Sequence, residues 1–197
     1  VDAPLLAVFP GSRRGEIKRL WPVFSAAIAR LKHDIPALEV VVQAPDALME
    51  MMRERTAQWH VPVKVISNAS EKKNLFAAAT AALAKSGTIG LECALAGLAS
   101  VVAYKANPLS VFLLRRMIKV KYVNLANILA GEMIVPELLQ ENCTAEKLSA
   151  ALAPLLTDAS ARMAQQAELG KIAHMLGADE ATSPSEKAAD IVLGMLS

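Results

Sequence analysis

Leu5-Leu6-Ala7-Val8-Phe9-Pro10-Gly11-Ser12-Arg13-Arg14-Gly15-Glu16-Ile17 is the stretch that decides how this chain is read. Its first five residues form an apolar run suited to a buried strand. A Gly-Ser turn follows, and then a long pattern with helical periodicity. A strand that turns sharply into a helix aims several unpaired backbone N–H groups at one spot, which favours an anion and most often a phosphate. Arg13 adds a planar fork of donors suited to a diphosphate. The same residues also fit an ordinary strand-to-helix turn in which Ser12 is the N-cap and Arg13 lies in water. A second turn of the same kind later in the chain favours the phosphate reading.

Outward from that stretch, strand and helix patterns alternate. Arg14–Lys32 carries Ile17, Leu20, Trp21, Phe24, Ile28 and Leu31 at helical spacing, with Pro22 expected to bend or weaken the helix early. Glu39–Gln43 reads as a second strand. Pro45-Asp46 opens a helix through about Gln58 whose inner face is Leu48, Met51 and Met52. Val63–Ile66, Ala81–Lys85 and Ala99–Tyr104 are further strands. Between them lie helices at Glu71–Ala79 and from Ser86-Gly87-Thr88 to Ala96, the latter closed by Gly97. The remainder reads as helical: about Pro108–Lys119, Leu125–Leu129, Thr144–Leu156, Ser160–Leu176 and Ser185–Leu196. Strands joined by helices imply a parallel sheet with right-handed crossovers. The expected fold is α/β, a Rossmann-like doubly wound parallel sheet of about five or six strands with C-terminal helices. Residues 1–197 are expected to form a single domain with a helical tail.

In such sheets ligands bind beyond the carboxyl ends of the strands, where strand order reverses. The turns after the first and fourth strands, Gly11-Ser12 and Ser86-Gly87-Thr88, both lead into helix N-termini at that edge. Together they offer a diphosphate two sets of N–H donors and the hydroxyls of Ser12, Ser86 and Thr88. Glu92, one turn into the fourth helix, has two readings. It is an acid that stabilises the helix dipole, or a carboxylate that accepts hydrogen bonds from a ribose. With Ser12 as N-cap, Gly15 and not Glu16 falls at the third helical position, so a strict capping box fails and Glu16 is left to orient Arg13 or Arg14.

Composition narrows the classes further. Of 197 residues, 54% are hydrophobic and 20% charged, which is the make-up of a folded protein. A formal charge of +2 and 4% aromatic residues argue against nucleic acid as a partner. Cys93 and Cys143 show no metal-ligand spacing and fit a reducing compartment. Residues 75–84, the most apolar run, are too short and alanine-rich to span a bilayer. No signal segment is recognisable, and the start at Val1-Asp2-Ala3-Pro4 leads to the expectation of a piece of a longer protein. The dinucleotide G-x-G-x-x-G, the P-loop and the G-x-S-x-G elbow are all absent. His33, His60 and His174 read as surface residues. Val111–Tyr122 mixes large apolar residues with Arg115, Arg116, Lys119 and Lys121. It reads either as a core helix with a basic last turn or as a surface that meets anionic lipid. Asn124 and Asn127, in the apolar run that follows, need partners if buried, and either is placed to reach the cleft.

Pro10-Gly11-Ser12-Arg13 with Glu16, Ser86-Gly87-Thr88 with Leu91-Glu92-Cys93, Tyr122–Gly131 and Val135–Gln140 together resemble the C-terminal half of the lipid-A-disaccharide synthase family. The resemblance runs from about Leu5 to the C-terminus. It implies the nucleotide-sugar half of a GT-B glycosyltransferase, whose facing N-terminal half holds the acceptor site and the general base and is absent from this chain. The family transfers 2,3-diacylglucosamine from UDP to 2,3-diacylglucosamine 1-phosphate (lipid X). The reaction is inverting and metal-independent, needs no cofactor because the UDP-sugar is a substrate, and takes place at the inner face of the bacterial inner membrane. By the resemblance, Ser12 and Arg13 meet the UDP diphosphate, Glu92 holds the ribose, and Arg13 and Asn127 support catalysis. The reading of the two turns adds Gly11, Ser86, Gly87 and Thr88 to the substrate-binding set. Ala126 stands where the family usually has proline. The resemblance implies a peripheral cytoplasmic location, a possible homodimer in the full-length protein, and no activity for this half by itself. The alternatives are a UDP-sugar 2-epimerase-like domain and a non-catalytic α/β binding domain.

Overall fold

Short apolar runs bounded by polar turns become strands, and the computed structural model, which describes residues 3–106 and 121–178, joins them in one parallel sheet. The strands are β1 (Leu5–Phe9), β2 (Glu39–Gln43), β3 (Val63–Ile66), β4 (Ala81–Lys85), β5 (Ser100–Tyr104) and β6 (Glu137–Leu139). The helices are α1 (Arg14–Asp34), α2 (Met49–Thr56), α3 (Ala69–Ala78), α4 (Thr88–Leu95), α5 (Leu125–Ala130), α6 (Ala145–Thr157) and α7 (Ala159–Met175). The sheet order is β3-β2-β1-β4-β5-β6, with every neighbouring pair parallel. Strand order reverses between β1 and β4, so a crevice opens at their carboxyl ends. Phe9 lies opposite Ala84 in the ladder, and the two chains leave the sheet side by side.

Side chains alternate across the sheet and build a core on each face. Leu6, Val8, Val40, Val42, Leu83 and Val101 pack with the buried stripe of α1 and with Leu148, Leu152 and Leu156 of α6. Ala7, Phe9, Ala82, Ala84 and Val102 pack on the other face with Leu75 of α3, Cys93 and Ala94 of α4, Ala126 of α5 and Leu169 of α7. Every residue expected on the inner stripe of α1, from Ile17 to Leu31, is buried. Each large one contributes about 2 kcal/mol of apolar burial. Trp21 stacks on Trp59 at 4.8 Å between centroids, and Trp59 Nε1 donates to Ser25 Oγ at 2.7 Å.

Three local expectations need correction, while α1, in which Pro22 was expected to bend or weaken the helix, continues through that residue unbroken. Both Pro22 and Lys18, one turn earlier, are exposed, so the carbonyl that proline leaves without a donor lies on the solvent side of the helix. The segment after Pro45 begins as a 3-10 turn, Asp46–Leu48, before α2. The helix α3 starts at Ala69, ahead of the expected Glu71, because Asn68 caps it by accepting from Glu71 N at 2.7 Å. Beyond Tyr104 the chain is not all helical, since β6 pairs Glu137, Leu138 and Leu139 with Val102, Ala103 and Tyr104. Three residues, one of them charged, carry no period that marks a strand. The expected helices at Pro108–Lys119 and Ser185–Leu196, and most of the basic stretch from Val111, lie outside the described residues.

Candidate functional site

The first turn is shaped by Gly11, whose φ of +104° is open to glycine and strained for any other residue. A Cβ there would also press to 3.1 Å from Glu16 Oε2. The N-cap of α1 is Arg13, in extended conformation and without a side-chain cap bond, and not Ser12. Glu16 and Ile17 donate their N–H groups to Arg13 O at 3.0 and 3.1 Å. The N–H groups of Arg14 and Gly15 therefore have no carbonyl to meet within the helix. Moving the cap by one residue brings Glu16 to the third helical position, where its carboxylate turns back toward the turn.

The second turn leaves β4 at Lys85. Ser86 is buried and its N–H bonds to Ala103 O at 2.8 Å, while Gly87, in extended backbone, is the N-cap of α4. Gly90 N reaches Gly87 O at 3.3 Å, so Thr88 and Ile89 are the residues whose N–H groups lack an intrahelical acceptor.

Both turns open into one cleft of about 370 Å³, within the usual size range for small-molecule sites. Gly11, Ser12 and Arg13 line one wall and Ser86, Gly87, Thr88 and Glu92 the other. Phe9, Gln43, Pro45 and Ile89 complete it with Glu16, Lys72 and Lys85. The charges are ordered in pairs. Glu16 Oε1 lies 3.5 Å from Arg13 Nη1 and 3.1 Å from Lys85 Nζ, and Glu92 Oε2 lies 2.6 Å from Lys72 Nζ. Of the two readings of Glu16, the pairing with Arg13 is the one observed. Glu92 falls beyond the first turn of α4, which holds no acid, so a dipole role is replaced by this ion pair with α3. Arg13, Lys72 and Lys85 against Glu16 and Glu92 leave the cleft net positive. With helix N-termini on both walls, it is suited to an anion.

Every turn residue singled out from the sequence, together with Glu92, reaches this cleft. Asn127 does not line it. It is buried, and its Nδ2 donates to Val135 O at 2.8 Å and Glu137 Oε1 at 2.7 Å, while its Oδ1 accepts from Ile134 N at 3.0 Å and Val135 N at 2.8 Å. Asn124 caps α5 by accepting from Ala126 N at 3.0 Å. Both asparagines thus serve the fold of residues 122–137. Lys72 and Lys85 were not legible as site residues. Lys85 had a faint signal, a cation ending an otherwise apolar strand immediately before Ser86. Lys72 had none, because it meets Glu92 from a different helix, at a separation along the chain that no local pattern marks.

No group of three His, Cys, Asp or Glu side chains gathers as a metal site among the described residues. Cys93 and Cys143 are free and buried. The Cys93 thiol is pushed up to about 12 by burial, with neighbouring Glu92 adding and Lys72 opposing, so it is no nucleophile. No helix among the described residues is long and apolar enough to cross a membrane.

A family model described as lipid-A-disaccharide synthetase matches residues 1–192. The lipid-A-disaccharide synthase of Rhodospirillum centenum is 43% identical over 195 residues, which is 99% of this chain and 48% of that protein. The chain spans about half the length of the curated relatives it matches. Among solved structures, it superposes on WaaG, a glycosyltransferase involved in lipopolysaccharide biosynthesis. The TM-score is 0.63 at 22% identity, over 98% of this chain and 48% of that one. It also superposes on the C-terminal domain of a glycosyl transferase group 1 family protein from Francisella tularensis. Here the TM-score is 0.58 at 13% identity, over 87% of this chain and 85% of that one. These two likenesses establish the fold, the Rossmann-like sheet of GT-B glycosyltransferases.

Proposed function

Because this chain belongs to the lipid-A-disaccharide synthase family, we propose that its cleft is the UDP-sugar site of a glycosyltransferase completed by a facing half outside these residues. The observation that carries this reading is the meeting of Gly11-Ser12-Arg13 and Ser86-Gly87-Thr88 in one net-positive cleft between β1 and β4.

In the proposed reaction the 6-hydroxyl of 2,3-diacylglucosamine 1-phosphate attacks the anomeric carbon of UDP-2,3-diacylglucosamine. The new glycosidic bond forms with inversion as the bond to the diphosphate breaks. The hydroxyl proton passes to a base on the facing half, and UDP leaves. The negative charge that grows on the diphosphate is met by the N–H groups at the starts of α1 and α4, by the Ser12 and Thr88 hydroxyls, and by Arg13. Donors fixed by the fold need no rearrangement as that charge develops, which is why no divalent metal or cofactor is required. In this reading Glu92 accepts from the ribose hydroxyls, and its ion pair with Lys72 fixes where the carboxylate lies. Asn127 acts through position, fixing the loop before β6. The lipid substrates imply work at the inner face of the bacterial inner membrane, as a peripheral cytoplasmic protein.

Calorimetric titration of the 197-residue chain with UDP, with magnesium and then with EDTA, tests the reading. The expected result is weak binding, equal under both conditions and reduced about 10- to 100-fold in Arg13→Ala. Glycosyl transfer by this chain alone, or no UDP binding at millimolar concentrations, would contradict it.

A further inference from the structure

Lys85 occupies the gap between the two turns. A Cβ added at Gly11 would lie 3.5 Å from Lys85 Cδ, and one added at Gly87 would lie 3.9 Å from its Nζ. The stem of the lysine therefore runs beneath one turn and its ammonium ends beside the other. Lysine ordinarily keeps its charged head in water. Here the side chain is only 17% exposed, with its head 3.1 Å from Glu16 Oε1 and 5.5 Å from the centre of the Tyr104 ring. Arg13 bonds the same carboxylate from outside and is 82% exposed. Glu16 thus pairs with one exposed cation, Arg13, and one largely buried cation, Lys85.

Resting on the reading of the cleft as a nucleoside diphosphate site, we propose that Lys85 binds the diphosphate directly, turning from Glu16 to the phosphate oxygens when the nucleotide enters. A compact ammonium suits this place. It presents rotating donors as a point charge, so it moves from a carboxylate to a phosphate a few ångströms away without the planar alignment a guanidinium needs. The position is also shared between the turns, so the lysine stabilises charge on whichever phosphate oxygen the departing UDP presents between the two helix starts. Glu16 keeps the ammonium in the cleft while no nucleotide is bound, which reduces the rotamer entropy lost on binding.

Ligand-observed NMR titration of the chain with UDP, inorganic pyrophosphate and uridine tests this. Lys85→Met is expected to weaken UDP and pyrophosphate about 10- to 100-fold, the loss of one charge-assisted contact, and to leave uridine within about 2-fold. Lys85→Arg should recover part of the loss. If Lys85→Met does not fold, the wild-type chain carries the test through reductive 13C-methylation of its lysines. The Lys85 resonance, identified by its disappearance in Lys85→Arg, should shift with UDP and pyrophosphate and stay still with uridine. An equal loss for all three ligands, no loss for any, or an unmoved resonance would overturn the assignment while wild-type UDP binding left the cleft reading intact. A wild-type chain that binds uridine as well as UDP, or neither, would overturn the cleft reading and this proposal together.

Discussion

Truncating Asn127 should cost this chain far more stability than a surface asparagine would. The Asn127 amide satisfies two backbone N–H groups, one backbone carbonyl and the carboxylate of Glu137. A neutral hydrogen bond contributes about 1 kcal/mol net and one to a charged group about 2, while a buried donor left unpaired costs about 1–3 kcal/mol. These effects overlap, because the loop will relax, so Asn127→Ala is expected to lose about 3–5 kcal/mol. At about 2–4 °C per kcal/mol for a chain of this size, the melting temperature falls by about 10–15 °C. Urea unfolding followed by tryptophan fluorescence reports this well, since the Trp21–Trp59 stack belongs to the opposite face of the sheet. Asn127→Asp sharpens the test. It retains both acceptor positions but sets a carboxyl where the Nδ2 bond of 2.7 Å to Glu137 was. Burial and the facing carboxylate raise the pKa of the new acid in the folded state. Stability relative to wild type is then fully present below the unfolded carboxyl pKa of about 3.9 and is lost as pH rises through the raised folded value. The variant should lie nearest wild type at about pH 4 and fall away by pH 8. An Ala variant within about 0.5 kcal/mol of wild type, or an Asp variant equally stable at both pH values, would refute the view of Asn127 as the organiser of this loop.

Other outcomes follow from single contacts. Gln165 of α7 accepts from Ser100 N at 2.6 Å and donates to Ser100 O and Ile134 O at 3.2 and 3.1 Å, so Gln165→Leu should cost about 2–4 kcal/mol in urea unfolding. A neutral result there would mean that the helix does not need this polar tie to the sheet. Gly90→Ala sets two effects against each other, since helix propensity gains about 1 kcal/mol but the new Cβ would lie 3.0 Å from Asn124 Oδ1. Asn124 is buried and held by its cap bond, so the clash should win by about 1 kcal/mol, and a raised melting temperature would show that the cap can move. Burial raises both cysteine thiols, Cys93 to about 12, so native chain should resist thiol reagents at pH 8 and react on unfolding. With a folded pKa above the unfolded value of 9.0, Cys93 contributes stability that is present below pH 9 and lost as pH climbs toward 12.

Much of the fold was legible because its signals are local. β1 and β4 have the bounds read from their apolar runs, and the stripe of α1 is buried as its spacing implied. The turns were legible for the same reason, since glycine and small hydroxyl residues between a strand and a helix constrain their own backbone. The elements misread were those whose stability is supplied from elsewhere. β6 is a strand only because β5 offers it a free edge, and Ser12 lost the cap to Arg13 although serine is the better capping residue. The cleft itself was half legible. Its N–H donors follow from the turns, but its ion pairs join Lys72 to Glu92 from different helices and Lys85 to Glu16 from a strand and a helix.

The sequence by itself determined the alternating elements and the two glycine-bearing turns that lead from strand to helix, because backbone geometry at glycine and the period of apolar residues act over a few positions. Tertiary structure alone decided that Asn127 faces inward, that Glu92 pairs with α3, and that Lys85 lies on the floor of the cleft. Asn127 is fixed by the loop that leads into β6 at the free edge of β5. The other two outcomes depend on the strand order at the β1–β4 reversal, which brings together groups remote along the chain at distances where charge and hydrogen bonding act.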